Sequence, residues 1–220
     1  MIYKAVLALL QRFDILLKAN VVRIPFGLVN RVYQNELTIE VAPESIISHA
    51  DHAFIKKNPS FLCNSNWDEK VFDIMSIERC KRVVDVINSI DNLTNCHSYN
   101  QYIQALNEGK PILRHGKPLD SMEKIDDYFK GLIHIYRDMK ENGYKSSSEL
   151  GAEESDICVG ISRSGNIIQL QSGHHRIALA KMAKVPTVKV KVILIHYLFW
   201  KKNKSISQSL KQAVNKNIGL

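Results

Sequence analysis

The stretch Asp156–Val192 constrains the fold more than any other part of the 220-residue chain. Its pattern predicts a strand, a tight turn, a second strand, a glycine-containing turn that opens a helix, and a third strand. These segments are 157–161, 163–166, 167–170, 173–184 and 187–195. Pro186 cannot continue a helix, so the third strand must begin after it. A hairpin that leads into a helix and then a strand predicts an α+β chain built on a small sheet.

The turn Gly173-His174-His175-Arg176 is the part of this stretch best suited to chemistry. Gly173 has no Cβ, so it permits a tight turn and the close approach of a phosphate to the backbone. The following N–H groups begin a helix, where the dipole favours an anion. Arg176 offers a planar fork of donors, and a histidine can donate to an anion or move a proton near neutral pH. The turn therefore predicts a phosphate site.

The chain is basic, with a net charge of +8 and a pI near 9.3. Such a charge favours an anionic partner: a nucleotide, a nucleic acid, a phosphorylated substrate or an anionic membrane surface. The alternative is that the charge serves solubility alone.

The four cysteines are scattered and form no C-x-x-C pair. This spacing argues against a zinc module or a disulfide framework, and it fits a reducing, cytoplasmic location.

Residues 1–36 are predicted to form an N-terminal helical extension. Apolar residues recur at helical spacing in its first 17 positions, but Lys4, Arg12, Asp14 and Lys18 interrupt them. The run is too short and too charged to span a membrane. We expect an amphipathic helix that packs on its own domain, with peripheral membrane contact or a partner helix as the alternatives.

The rest of the chain divides into further predicted segments. These are a strand at 37–41, a short turn of helix at 43–47, a loop from His49 to Trp67, helices at 72–90, 99–107 and 121–139, and a frayed helix or disordered arm at 201–220. Ser98 and Ser121 are predicted to cap two of the helices. His49 and His52 could share a metal, but without a third ligand they are interpreted as surface histidines. Trp67 is interpreted as a core residue, with a carboxylate at a site rim as the functional alternative for Asp68.

The ordered elements around the Gly-His-His-Arg turn resemble the ParB/sulfiredoxin-like superfamily. The resemblance is carried by Gly165, Gln171–Arg176, Ile177–Lys181, the strand after Val185-Pro186, the helix end at Asn142–Tyr144, and the opening strand with its "PESI" segment at 37–47. It covers 37–47 and about 125–195, and it makes 51–124 a helical insertion. The implied organisation is a domain at 37–200, with a small mixed sheet and packed helices, followed by a basic tail at 201–220.

This resemblance implies nucleotide binding, because family members hold ATP or CTP phosphates at the matching turn. Carried over, Gly173, His174, His175 and Arg176 are predicted to bind phosphate. Lys145 and Ser146 follow the preceding helix, where the family places further nucleotide contacts.

Two departures remove the best-known activities of the superfamily. Sulfiredoxins carry a cysteine directly after the glycine of the turn, and His174 stands there in this chain. Partition ParB proteins continue into a helix-turn-helix and a dimerisation domain, whereas only a short basic tail follows Trp200 here.

The function predicted first is an ATP-dependent phosphotransferase, or one using another NTP, that acts on a small molecule such as a sugar or an amino acid. Such a site needs Mg²⁺ and a carboxylate that orients the nucleophile. The candidate carboxylates are Asp68, Glu44 and Glu40, and His175 is the candidate acid/base or phosphate donor. The alternative is a nucleotide switch, with or without hydrolysis, that associates with nucleic acid. A nuclease lacks support, since the sequence shows no cluster of metal-binding carboxylates.

Overall fold

The computed structural model describes residues 26–50, 60–114, 116–146, 149–150 and 156–217. The predicted N-terminal helix, its alternative as a membrane contact, and His52 lie outside these ranges. No helix in the described ranges is long and apolar enough to cross a bilayer.

The chain divides into two compact units. The sheet unit takes the residues up to Ile74, Lys145–Gly173, and those from Pro186 onward, and the helical unit takes Met75–Tyr144 and His174–Val185. Together they form the mixed α+β architecture that the sequence predicted. The helical unit overlaps only partly with the predicted insertion at 51–124, since it also includes the helix at 122–142 and the helix after Gly173.

The described secondary structure consists of seven α-helices and nine strands. The helices are α1 (Phe26–Tyr33), α2 (Glu78–Asn88), α3 (His97–Asn107), α4 (Met122–Asn142), α5 (His174–Ala183), α6 (Tyr197–Asn203) and α7 (Ile206–Asn217). The strands are β1 (Thr38–Val41), β2 (Ser48–Ala50), β3 (Leu62–Cys63), β4 (Val71–Asp73), β5 (Leu113–Arg114), β6 (Lys117–Pro118), β7 (Ile157–Ile161), β8 (Ile167–Gln169) and β9 (Val188–His196).

Seven strands form one mixed sheet in the order β1-β9-β7-β8-β2-β4, with β3 also paired to β9. β9 runs parallel to β7 and β3 and antiparallel to β1, whereas β7 and β8 form the antiparallel hairpin predicted from the sequence. β5 and β6 form a separate two-stranded ribbon.

β9 is the longest strand, and its burial follows its sequence. Val188, Val190 and Val192 are buried and alternate with the half-buried Lys189 and Lys191, so the first half of β9 has one wetter face. From Leu194 onward the strand is buried throughout. This agrees with the predicted change from alternation to a continuous apolar run.

The helical unit has its core where amphipathic helices meet. α2 buries Cys80, Val83, Val86 and Ile87, and α4 buries Ile125, Phe129, Leu132, Ile133 and Met139. α5 packs on both α2 and α4. Ser121 caps α4 as predicted, by accepting a hydrogen bond from Lys124 N.

Several predicted boundaries are wrong. The segment predicted as a loop from His49 contains β2 and β3, and the helix predicted from Phe72 begins only at Glu78, since residues 71–73 form β4. These strands have two or three residues, too few for an alternating pattern. Their extended form comes from pairing, of β2 with β8, of β3 with β9 and of β4 with β2. Cys96, not Ser98, is the N-cap of α3.

The tail is not a disordered arm, because 206–217 forms α7. Ile206, Leu210 and Ala213 are buried at helical spacing, and the helix contacts β1. Asn217 closes it by donating to the carbonyl of Gly165 at 3.0 Å. The basic end of the chain is therefore part of the sheet unit.

We predict that Leu210→Ala destabilises the protein by about 2–5 kcal/mol, because a buried leucine is lost and a cavity remains. Lys211→Ala, at the adjacent exposed position, should stay within about 0.5 kcal/mol of the wild type. Urea denaturation measures both. Equal stability of the two variants would show that α7 does not pack on the sheet.

Candidate functional site

The turn before α5 depends on glycine for a packing reason. Gly173 has a φ of +94°, and a Cβ built there would lie 2.7 Å from Ile157 Cα and 2.7 Å from its Cγ1. The predicted reason was room for a phosphate, whereas the structure shows that Ile157 already occupies the side where a side chain would go. Only glycine fits both the dihedral angle and the space.

A hydrogen-bond network holds the residues just before this glycine. Gln169, which is fully buried, donates to the carbonyl of Ser172 at 2.9 Å and is itself bonded to His49 Nδ1. Ser172 Oγ donates to the carbonyl of Asp156 at 2.7 Å. The sequence interpretation places His49 on the surface. In the structure His49 is half-buried, and it supports the turn through its contact with Gln169. Sequence reasoning missed Gln169, which only its β8 position and burial identify.

His174, His175 and Arg176 form the first turn of α5. His174 is buried, and its carbonyl accepts a contact from Cys80 Sγ at 3.5 Å. The Arg176 guanidinium lies over the ring of Tyr144 at 5.1 Å from its centroid. This stacking orients a half-buried arginine beside a helix start, which suits planar recognition of an oxyanion.

His175 is neutral at physiological pH. Burial first, and then the positive charges of Arg82, Arg114 and Arg79, lower the pKa of His175 to about 4. Its buried Nε2 has no hydrogen-bond partner among the described residues. A buried imidazole nitrogen normally has a partner, so this atom is placed to meet a ligand.

An arginine–tyrosine cluster lies in the helical unit near His175. It is formed by Arg82, Arg114, Tyr102 and Tyr128. Arg82 lies 5.5 Å from the centroid of the Tyr102 ring. Arg114 lies 5.2 Å from Tyr102 and 5.3 Å from Tyr128, and the two rings stack with centroids 5.8 Å apart. Sequence reasoning missed all four residues, and the basic run at 79–82 of α2 was the one available signal.

Lys145 and Ser146, the weaker phosphate candidates, belong to the sheet unit. Ser146 donates from both N and Oγ to Glu149 Oε2, at 2.7 and 2.6 Å, and Lys189 Nζ donates to Glu149 Oε1 at 2.6 Å. Hydrogen bonds from Lys189 and then Ser146 lower the pKa of Glu149 to about 2. The hydroxyl of Ser146 therefore already has a carboxylate partner.

Glu40 and Glu44 also lie in the sheet unit, and both are exposed. Glu40 pairs with Lys189 across β1 and β9, so it lies beside the Glu149–Lys189 ion pair. Glu44 belongs to the short 3-10 turn Pro43–Ser45. No group of three or more metal-ligating side chains occurs in the ranges given above.

Asp68, whose side chain is 2% exposed, forms an ion pair with the half-buried Arg163. Arg163 donates to it from the backbone N at 2.8 Å and from the guanidinium at 2.8 to 3.1 Å. Burial favours a higher pKa for Asp68, but the hydrogen bonds from Arg163 outweigh it and lower the pKa. Trp67 is buried against Gly160, as the core interpretation predicted.

His196 lies 3.9 Å from Asp68 and is a structural neighbour of this ion pair. Leu198 N donates to its Nδ1 at 3.1 Å, so Nε2 carries the proton and donates to the Ser65 carbonyl. Both ring nitrogens are therefore in use, and burial lowers the pKa of His196. In this arrangement Asp68 fixes the β7–β8 turn through Arg163.

We predict that Gly173→Ala destabilises the protein by about 1–3 kcal/mol, since the new Cβ meets the backbone of Ile157 at a positive φ. Gly131→Ala in α4 is the control. No atom lies within 4 Å of a Cβ there, so alanine should leave stability unchanged or raise it by up to about 1 kcal/mol. Thermal and chemical unfolding compare the two, and equal effects would contradict the close contact.

We predict that Asp68→Asn lowers stability at pH 7 by about 1–3 kcal/mol, because Arg163 loses the charge of its less exposed partner and keeps Glu69, whose side chain is 51% exposed. The lowered pKa of Asp68 means that its contribution is present above its ordinary pKa and is lost as the pH falls through the lowered value. The difference between wild type and variant should therefore shrink in strong acid. Asp127→Asn, at an exposed position of α4, should show neither effect in pH-dependent denaturation.

Comparison of the chain with protein-family models, with curated proteins and with solved structures finds no match.

Proposed function

We propose that this protein binds the phosphates of a nucleotide at the first turn of α5 and transfers a phosphoryl group to a small molecule. The observation that carries the proposal is His175: a neutral, half-buried imidazole whose buried Nε2 has no partner among the described residues, at a helix start between His174 and Arg176. The order of elements around this turn, which resembles the ParB/sulfiredoxin-like superfamily, supports the same proposal.

The residues of the turn suit phosphate oxygens. The first N–H groups of α5 carry the positive end of the helix dipole. Arg176 supplies a planar charged fork, stacked on Tyr144. A neutral His175 can donate one ring N–H to a phosphate oxygen without the cost of burying a second cation.

Transfer would break the bond between the terminal phosphorus and its bridging oxygen, with the electron pair leaving on the nucleoside diphosphate. A new phosphorus–oxygen bond would form to an acceptor hydroxyl, whose proton passes to a base. Glu40, Glu44 and Asp68 remain the carboxylates proposed for this role. Of these three, the carboxylate of Asp68 is held by Arg163.

Mg²⁺ would be held chiefly by phosphate oxygens, with water and one or two carboxylates. It would neutralise phosphate charge, and the role proposed for His175 and Arg176 does not depend on it.

The test is nucleotide binding by calorimetry with ATP, CTP and GTP in the presence of Mg²⁺. We expect at least one to bind, and Arg176→Ala to weaken it by about tenfold or more, which is the loss of a charged, bidentate contact. Arg176→Lys keeps the charge but not the fork and should recover only part of the affinity. Arg31→Ala, at an exposed position of α1, is the matched control.

Turnover is tested by following nucleotide loss with and without a panel of sugars and amino acids. Loss that one acceptor accelerates, with a phosphorylated product, supports the transferase. Binding without transfer, together with salt-sensitive DNA binding that survives Arg176→Ala, would support the nucleic-acid-associated switch instead. Absence of binding for all three nucleotides at millimolar concentration would refute the proposal.

A further inference from the structure

Buried polar atoms without a partner are concentrated in the helical unit. Within the described ranges, the atoms of this kind in and beside the arginine–tyrosine cluster are Arg82 Nη1, Arg114 Nε, Tyr102 OH, Tyr128 OH and His175 Nε2. Arg82 has a side chain only 9% exposed, and Tyr102 is 2% exposed. Each such group is destabilising if it stays unpaired, so five of them in and beside one cluster indicate a missing polar partner.

The charges of the same groups are unbalanced. Among the described residues, Arg82 pairs with Glu78 at 3.8 Å, and that carboxylate, which also acts on Arg114, has a side chain 72% exposed. Burial, and then the charges of Arg82 and Arg79, lower the pKa of Arg114. Buried charges in proteins are normally paired or bound to a counter-ion. Among the described residues, the cluster therefore has an excess of positive charge and buried donors without acceptors.

We propose that Arg82, Arg114, Tyr102 and Tyr128 form an anion subsite that takes the phosphate group of a phosphate monoester. Four donors from four side chains suit a tetrahedral oxyanion better than a planar carboxylate, which has only two oxygens to receive them. The aromatic rings hold the two guanidinium groups by cation–π contact, so the donors are positioned before a ligand arrives.

His175 connects this subsite with the first turn of α5. The charges of Arg82 and Arg114 act on its imidazole and help to keep it neutral. A bound dianion would offset those charges, so phosphate binding should raise the pKa of His175 from about 4. The protonation of His175 then reports on occupancy of the subsite.

The role of this ligand rests on the proposed function, although its binding does not. In a phosphotransferase with a nucleotide at the first turn of α5, the second anion would belong to the acceptor. The acceptor class is then a small molecule that already carries a phosphate, such as a phosphorylated sugar.

The experiment titrates the full-length protein with inorganic phosphate and with glycerol 3-phosphate, without nucleotide, by calorimetry and by NMR of the histidine ring. We expect binding, with an increase in the pKa of His175. Arg82→Gln and Arg114→Gln should each weaken binding by about tenfold or more. Tyr102→Phe should weaken binding by less, because it removes a neutral hydrogen bond and not a charged one. Arg137→Gln, which removes the same charge from an exposed position of α4, should leave the affinity within about twofold of wild type.

Thermal unfolding with and without phosphate shows both whether each variant folds and whether phosphate raises its melting temperature. Wild type and Arg137→Gln should both show it, and Arg114→Gln should fold and lose it, since ligand stabilisation depends on binding to the native state. Should Arg114→Gln fail to fold, Tyr102→Phe and Tyr128→Phe, which keep the rings, supply the same comparison.

Two results would overturn the subsite: no phosphate binding by the wild type at about 10 mM, which is weaker than any useful contact, or equal binding by wild type, Arg82→Gln and Arg114→Gln. Phosphate binding without nucleotide binding would sustain the subsite and refute the nucleotide proposal. If phosphate does not bind and the cluster variants still bind nucleotide, the subsite is refuted and the nucleotide proposal is sustained.

Discussion

The contact between Gly173 and Ile157 is the constraint on which the candidate site depends. Ile157 is fixed in β7 by its pairing with β9, and the turn passes so close to it that a Cβ has no room. α5 can begin at His174 because the chain turns at this point with a positive φ. Gln169 and Ser172 support the turn from within the sheet unit. The start of the helix is thus set by the backbone and by the side chains of Gln169 and Ser172, not by ligand-binding side chains.

The sequence predicts the elements with strong local patterns. The β7–β8 hairpin, α4 with its Ser121 cap, and β9 follow from alternation, helical spacing and turn residues. The sequence does not predict β2, β3 and β4, because two or three residues are too few to show an alternating pattern. Their extended conformation comes from pairing with other strands. α7 was underestimated because its lysines outweighed the spacing of Ile206, Leu210 and Ala213.

The candidate site was predictable only where its residues are consecutive. The turn Gly173–Arg176 is a local motif, so its position at a helix start could be inferred from neighbouring residues. The arginine–tyrosine cluster comes from α2, α3, β5 and α4, and no pattern in the sequence connects positions 82, 102, 114 and 128. Asp68 is predicted as a catalytic carboxylate from its setting in the sequence, and the fold adds its ion pair with Arg163, which no local pattern indicates.

The net charge of the chain is one reason to expect an anionic partner. Burial decides which of the charged side chains support that expectation. The lysines at positions 201, 202, 204, 211 and 216 are exposed, so water and salt screen them. Arg82 and Arg114 carry buried nitrogens without partners among the described residues, and there a missing anion costs far more. These arginines also help to keep His175 neutral. An anion bound among them would therefore raise the pKa of the His175 imidazole in the first turn of α5, which couples ligand binding to proton uptake.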